Sequence, residues 1–160
     1  MDEFIALLRS FDIGLVADIR SFPGSRKFPH FNSENLQEVL PGVGIGYLRI
    51  PELGGRRKVS PDSANTQWRH PAFRGYADYM ETPQFLAGID ILTREAAQRR
   101  TAFMCSEAVW WRCHRSMVAD YLKSAGWTVI HIMGDGVGKE HPYTAAARIV
   151  DGKLTYKALL

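Results

Sequence analysis

Cysteine is scarce in this sequence. Cys105 and Cys113 are the only two among 160 residues. Two thiols do not make a disulfide framework, so free thiols are expected. Long hydrophobic runs are absent as well. None approaches the ~18 residues of a membrane span, and no membrane segment is expected. The start, Met1-Asp2-Glu3, is acidic and lacks the basic region of a secretory signal, which makes a cytoplasmic address the default expectation. An excess of one charge is also lacking: 20 Lys and Arg against 17 Asp and Glu leave +3. That balance is too weak by itself to indicate nucleic acid, but it permits an anionic ligand. There is no internal repeat and no low-complexity segment.

What is present reads as one α/β domain over residues 1–160. The hydrophobic share of 46% and the charged share of 23% are ordinary for a globular chain of this size. Phe4, Leu7, Leu8 and Phe11 share one face of a helix from Asp2 to Phe11. Ile13 to Ile19 is a branched apolar run that predicts a buried strand, ending in Asp18 and Arg20. Asn32 or Ser33 caps a helix through Leu40. Gly42, Gly44 and Gly46 precede a strand instead of following one, so they predict a turn and not a phosphate loop. Strands follow over Ile45–Ile50, Thr101–Met104 and Val129–Ile132. Between them lie helices over Pro71–Met80, from Thr82-Pro83 to Arg100, and from about Arg112 to Ala125, with Gly126 just past the last. A terminal hairpin is expected around Asp151-Gly152. Strands alternating with helices predict a mostly parallel sheet with helices on both faces, in Rossmann-like layers.

One stretch collects most of the chemistry, Thr101 to Met117, TAFMCSEAVWWRCHRSM. An apolar strand ends at Cys105-Ser106-Glu107, and Cys113-His114-Arg115 opens a helix. Open α/β sheets bind ligands at the carboxyl ends of strands, beside helix N-termini. Cys105 is either a buried small residue or a thiolate stabilised by Arg112, Arg115 and the helix N-terminus. The spacing to Arg112 is one residue too long for the C-x5-R loop of a cysteine phosphatase. His114 is either a satisfied semi-core imidazole or a group facing a ligand. Arg115 is a surface charge, a clamp on a carboxylate such as Glu107 or Asp18, or a two-point anion ligand. Glu107 can move a proton or pair with an arginine. Trp110 and Trp111 suit a core lid better than a stacking platform. A metal at Cys105, Cys113, His114 and perhaps Glu107 or His131 lacks the C-x2-4-C signature, and adjacent Cys and His rarely point at one ion; no metal site is expected. Arg26, Lys27, Arg56, Arg57 and Lys58 sit on two loops that follow predicted strands. In a parallel sheet both loops reach the edge where Cys105 lies, giving an electropositive cleft; taken singly, each reads as a solvated loop charge.

Several motifs in order carry a family resemblance. They are Val16-Ala17-Asp18-Ile19-Arg20-Ser21-Phe22-Pro23, Phe31-Asn32, Tyr47-Leu48-Arg49, Leu53-Gly54-Gly55-Arg56 and Phe73-Arg74-Gly75-Tyr76-Ala77-Asp78-Tyr79-Met80. The most specific are Met104-Cys105-Ser106-Glu107 and Cys113-His114-Arg115-Ser116, followed by His131-Ile132, Pro142-Tyr143-Thr144 and Ala147-Arg148. Over nearly its whole length the chain resembles the bacterial and archaeal family catalogued as domain of unknown function 488. The resemblance implies a fold and a pocket, and no established activity. It also implies a first strand with a Thr-Ile-Gly-His-type motif ahead of the Asp2 helix. This sequence lacks that strand, so a gap or an unsatisfied sheet edge is expected.

The leading expectation is a small enzyme-like protein with a polar pocket for a phosphate- or nucleotide-bearing ligand. Cys105, Glu107 and His114 are its candidate catalytic residues. Asp18, Arg20, Arg56, Cys113 and Arg115 are its candidate ligand-binding residues. The alternatives are a non-catalytic nucleic-acid-binding module that uses the basic loops, and a purely structural role for the motif. No cofactor and no oligomeric state follow from the sequence.

Overall fold

The buried strand at 13–19 becomes the centre of the sheet. In a computed structural model, which describes residues 1–24, 28–107 and 109–159, its regular part is β1, Leu15–Asp18, with every residue buried. The expected cations Arg26 and Lys27 lie outside the described residues. β1 is flanked by β2, Gly46–Arg49, and β3, Thr101–Met104, in the order β2-β1-β3, and both pairings are parallel. Asp18 is level with Arg49 on one side and Met104 on the other. The residues after each strand, Ile19-Arg20, Ile50 and Cys105, therefore emerge at one edge, and the sheet's register assembles the site.

Period-2 alternation divides the core in two. Val16 and Tyr47 cluster with Ile5 and Leu8 of α1, Asp2–Ser10, and with Leu36 and Leu40 of α2, Ser33–Gly42. Ala17 and Ile19 cluster with Tyr76 of α3, Pro71–Tyr79, with Phe85 and Ile89 of α4, Pro83–Gln98, and with Met117 and Val118 of α5, Arg115–Ser124. Thr82 caps α4 by accepting the Phe85 amide, with proline at the first helical position. Gly126 takes φ +97° just past α5, a conformation that glycine adopts at little cost.

The last predicted strand forms but does not join the main sheet. β4, Ile130–Ile132, pairs antiparallel with β5, Gly138–Glu140. β6, Arg148–Val150, and β7, Lys153–Thr155, make the expected hairpin, whose turn puts Asp151 at φ 52° and Gly152 at φ 76°. The parallel part of the sheet is thus three strands. The Leu15 and Ile19 amides donate to Arg100 and Met104, so in parallel alternation the backbone groups of Thr101 and Phe103 point outward. Among the described residues no strand pairs with that outer edge. A cavity of about 510 Å³ lies between it and β4, lined mainly by apolar side chains such as Phe4, Phe11, Phe103 and Trp127.

A buried polar hub ties the chain beyond α5 to that helix. The Asp120 carboxylate accepts from the Thr144 amide at 3.0 Å, the Thr144 hydroxyl at 2.6 Å and the Tyr156 hydroxyl at 2.7 Å. Its Oδ1 lies 2.8 Å from His141 Nε2, and His141 Nδ1 lies 2.7 Å from His131 Nε2. Trp110 stacks on the His131 ring at 4.3 Å. Asp120→Ala leaves several buried groups without partners and is expected to cost roughly 3 kcal/mol or more, read as a lower urea midpoint. Burial, then His141 and Arg115 nearby, push the His131 pKa down to about 4. The folded state therefore holds this imidazole neutral while the unfolded chain protonates it. Its contribution is complete above an ordinary histidine pKa of ~6.5 and is lost as pH falls through about 4. Denaturation midpoints should fall from pH 7 to pH 4.5, and His131→Phe should flatten that fall.

Candidate functional site

Three turns meet at the carboxyl edge of the sheet. The first follows β1. Arg20 doubles back on Asp18, its Nε 2.8 Å from Oδ1 and its Nη2 2.7 Å from Oδ2, and Nη2 also donates to the Phe31 carbonyl. The Tyr47 hydroxyl donates to the same carboxylate, and burial with Asp18 beside it raises the pKa of that phenol. Asp18 is fully buried with both oxygens engaged. This corrects its expected place among the ligand-binding residues: it anchors Arg20 and does not line the cleft.

The second turn follows β2. Ser21 Oγ donates to the Gly55 carbonyl at 2.7 Å. A Cβ on Gly55 would lie 2.9 Å from His114 Nδ1, so only glycine lets this turn sit against the imidazole. Arg56 follows at φ 61°, a left-handed conformation that costs an L-residue roughly 1–2 kcal/mol. Its guanidinium reaches over the Phe22 ring at 4.8 Å. Arg57 is spent differently, stacked 3.7 Å over Tyr79 and donating to the Gly54 carbonyl.

The third turn follows β3. Trp110–Arg112 is one turn of 3-10 helix, and Cys113 is then extended, at φ −138° and ψ 152°. The helix predicted from Arg112 is therefore interrupted, and α5 begins only at Arg115 with His114 as its N-cap. The extended Cys113 turns its sulfur back toward Cys105, and the two are joined as a disulfide. This corrects the free-thiol expectation: the strand end and the extended residue bring together thiols eight positions apart. His114 Nε2 lies 3.0 Å from the Ile19 carbonyl, which must accept its proton. Nδ1 then carries the lone pair, 3.6 Å from Cys113 Sγ and 3.8 Å from Cys105 Sγ. The Arg115 amide donates to Cys113 Sγ at 3.3 Å. Burial, above all, pushes the His114 pKa down to about 4, so the ring is neutral near pH 7.

These turns enclose a cleft of about 370 Å³. Arg20, Arg56, Cys105, Glu107, Cys113 and His114 all line it, and sequence reasoning expected each of them in the pocket. Arg112, His70 and Tyr76 line it as well. His70 and Tyr76 went unnoticed because nothing in the spacing of α3 shows that its first turns face this edge. Arg115 is a correction. Its side chain lines the larger apolar cavity instead of the cleft, donates to the Glu107 backbone carbonyl at 3.3 Å, and has a buried Nε with no hydrogen-bond partner among the described residues. Among the described residues its side chain makes no hydrogen bond to either carboxylate, although the nearby Glu107 charge favours the guanidinium. The larger cavity has few convergent polar groups, and the sulfur and imidazole chemistry faces the smaller cleft.

The fold and site define an α/β protein with a polar cleft at the carboxyl ends of a three-stranded parallel sheet. The chain belongs to the family described as domain of unknown function DUF488, whose sequence model matches residues 1–122. No curated protein and no solved structure matches the chain. The matched region includes β1 to β3, the whole cleft and Asp120. No helix among the described residues is long and apolar enough to cross a membrane.

Arg56→Gly offers a direct reading of the left-handed turn. The substitution relieves the backbone and removes a cleft charge, so thermal stability should hold or rise while any affinity for anions falls. A melting curve alone would check the first half, and a clear drop in Tm would show that Arg56 is held for packing.

Proposed function

We propose that this chain is a single α/β domain with Rossmann-like layers, that it works in the cytoplasm, and that its cleft binds an anionic ligand carrying a phosphate or nucleotide. One observation carries the reading. Arg20, Arg56 and Arg112 converge on a cleft whose floor is a sulfur pair beside the unprotonated nitrogen of a neutral imidazole. Guanidinium groups suit phosphate oxygens in number and geometry. His114 Nδ1 is placed to take a proton from either thiol once the disulfide is reduced, and the Arg115 amide favours a thiolate at Cys113. Glu107, exposed on the rim, can exchange protons with solvent or ligand. The role is enzyme-like: Arg56 and Arg112 hold the anion while the sulfur centre and His114 face it.

Binding of inorganic phosphate, pyrophosphate and a nucleotide panel tests this directly by thermal shift and calorimetry. Saturable binding is expected, weakened about tenfold or more by Arg56→Glu together with Arg112→Glu, in line with the loss of charge-assisted contacts. No saturable binding by any of these anions would overturn the reading. Binding only to oligonucleotides, falling steeply with salt, would move the function to nucleic acid.

A further inference from the structure

We propose that Cys105, Cys113 and His114 form a redox-gated binding site for a soft divalent cation, with zinc as the fitting occupant. The sequence argues against such a site, because a cysteine next to a histidine on a helix points elsewhere. The structure removes that objection. Cys113 is extended and lies ahead of α5, so its sulfur and the His114 ring reach the same point. The three donor atoms lie within 4.8 Å of one another. Nδ1 stands 3.6 Å and 3.8 Å from the two sulfurs. A tetrahedral zinc with Zn–S of about 2.3 Å and Zn–N of about 2.0 Å sets neighbouring donors about 3.5 Å apart.

The surroundings fit as well. A metal-bound histidine ordinarily donates its other nitrogen's proton to a carbonyl or carboxylate, which fixes the ring. His114 does this with the Ile19 carbonyl at 3.0 Å, so Nδ1 is the nitrogen left to coordinate. The Arg115 amide supports a thiolate at Cys113. Three protein ligands leave a fourth position, and all three line the cleft that holds Arg20, Arg56 and Arg112. An open position is the mark of zinc sites that bind water or substrate, not of closed structural ones.

The disulfide and the metal exclude each other, because both use the same sulfur lone pairs. A thiol reductant cleaves the S–S bond: two electrons and two protons convert the pair to thiols, and two reductant thiols leave as their own disulfide. The cation then displaces both thiol protons and binds two thiolates and the imidazole. Oxidation of the thiols by a disulfide of the surrounding pool would expel the ion. The site is thus empty when oxidised and loadable when reduced. This inference does not depend on the anion reading, since Arg56 and Arg112 are not ligands.

Cobalt(II) titration of the metal-free 160-residue chain tests the proposal. Reduced protein, freed of reductant under anaerobic conditions, should bind one cobalt per chain and show intense sulfur-to-cobalt charge transfer with tetrahedral d–d bands. Zinc should bleach the spectrum. Oxidised protein should give none of it. Cys105→Ser, Cys113→Ser and His114→Gln should each weaken binding at least about tenfold, with circular dichroism confirming the fold. Arg56→Glu with Arg112→Glu should keep the cobalt spectrum, which separates a failed metal site from a failed anion site. Absence of the sulfur charge-transfer band in reduced wild type would overturn the proposal. So would equal cobalt binding by reduced and oxidised protein.

Discussion

A buried carboxylate at the end of the central strand sets the geometry of the whole carboxyl edge. Asp18 is inaccessible to solvent, and an ion in that position survives only if it is paired and fully hydrogen-bonded. Arg20 meets it through its backbone amide and two guanidinium nitrogens, and Tyr47 through its hydroxyl. Because Tyr47 lies on β2 and Arg20 also binds the Phe31 carbonyl ahead of α2, the cluster locks β1 to β2 and to the entry of α2. The neighbouring Ile19 carbonyl is then fixed as well, and it selects the tautomer of His114. One desolvated ion pair therefore propagates, over a single residue, into the orientation of the imidazole that faces the sulfurs.

Asp120 has the corresponding role for the part of the chain beyond residue 122. It sits on the inner face of α5, at the end of the segment shared with the DUF488 family, and collects Thr144, His141 and Tyr156. The two small antiparallel pairs contribute little buried apolar surface of their own, with β5 entirely exposed and β6 largely so. Polar contacts to one carboxylate, with Tyr156 packed into the main core, give these hairpins their position. Isolated two-stranded ribbons are marginal in water, so such an anchor is required for them to stand in a fixed place.

Much of this was legible in the sequence, for reasons that can be stated. The three parallel strands, the Thr82-Pro83 helix start, the Gly126 stop and the Asp151-Gly152 turn all rest on local signals: apolar runs, capping and φ preferences. The membership of Arg20, Arg56, Cys105, Glu107, Cys113 and His114 in one cleft followed from parallel topology, which delivers loop after loop to the same edge. What failed was direction and pairing. Periodicity says that Val129–Ile132 is a strand but not which strand it meets, and β4 pairs with β5. Helical spacing placed Cys113 and His114 on α5, whereas one extended residue decouples them from it. Asp18 and Arg115 were expected in the pocket because charge suggests solvent or ligand, and neither the Tyr47 contact nor the turn of Arg115 into the apolar cavity has a sequence signal. Asp120 carried one weak signal, an acidic residue amid the buried positions of α5.

The N-terminal end of α5 stands between two cavities of opposite character. On one side lies the larger, apolar space along β3, reached by Arg115 and His131. On the other lies the smaller cleft with its arginines and sulfurs. A ligand in the larger space would gain from burial but would meet few groups able to break or form a bond. The smaller space offers less area, yet its charges are fixed by structure: Arg20 by Asp18, the His114 ring by Ile19 and Gly55, and Cys113 by the Arg115 amide. Preorganised polar groups stabilise developing charge without rearrangement, and this is worth more to a reaction than apolar area. Size therefore favours one cavity and fixed polar chemistry the other, where the neutral His114 imidazole has its lone pair facing two sulfurs.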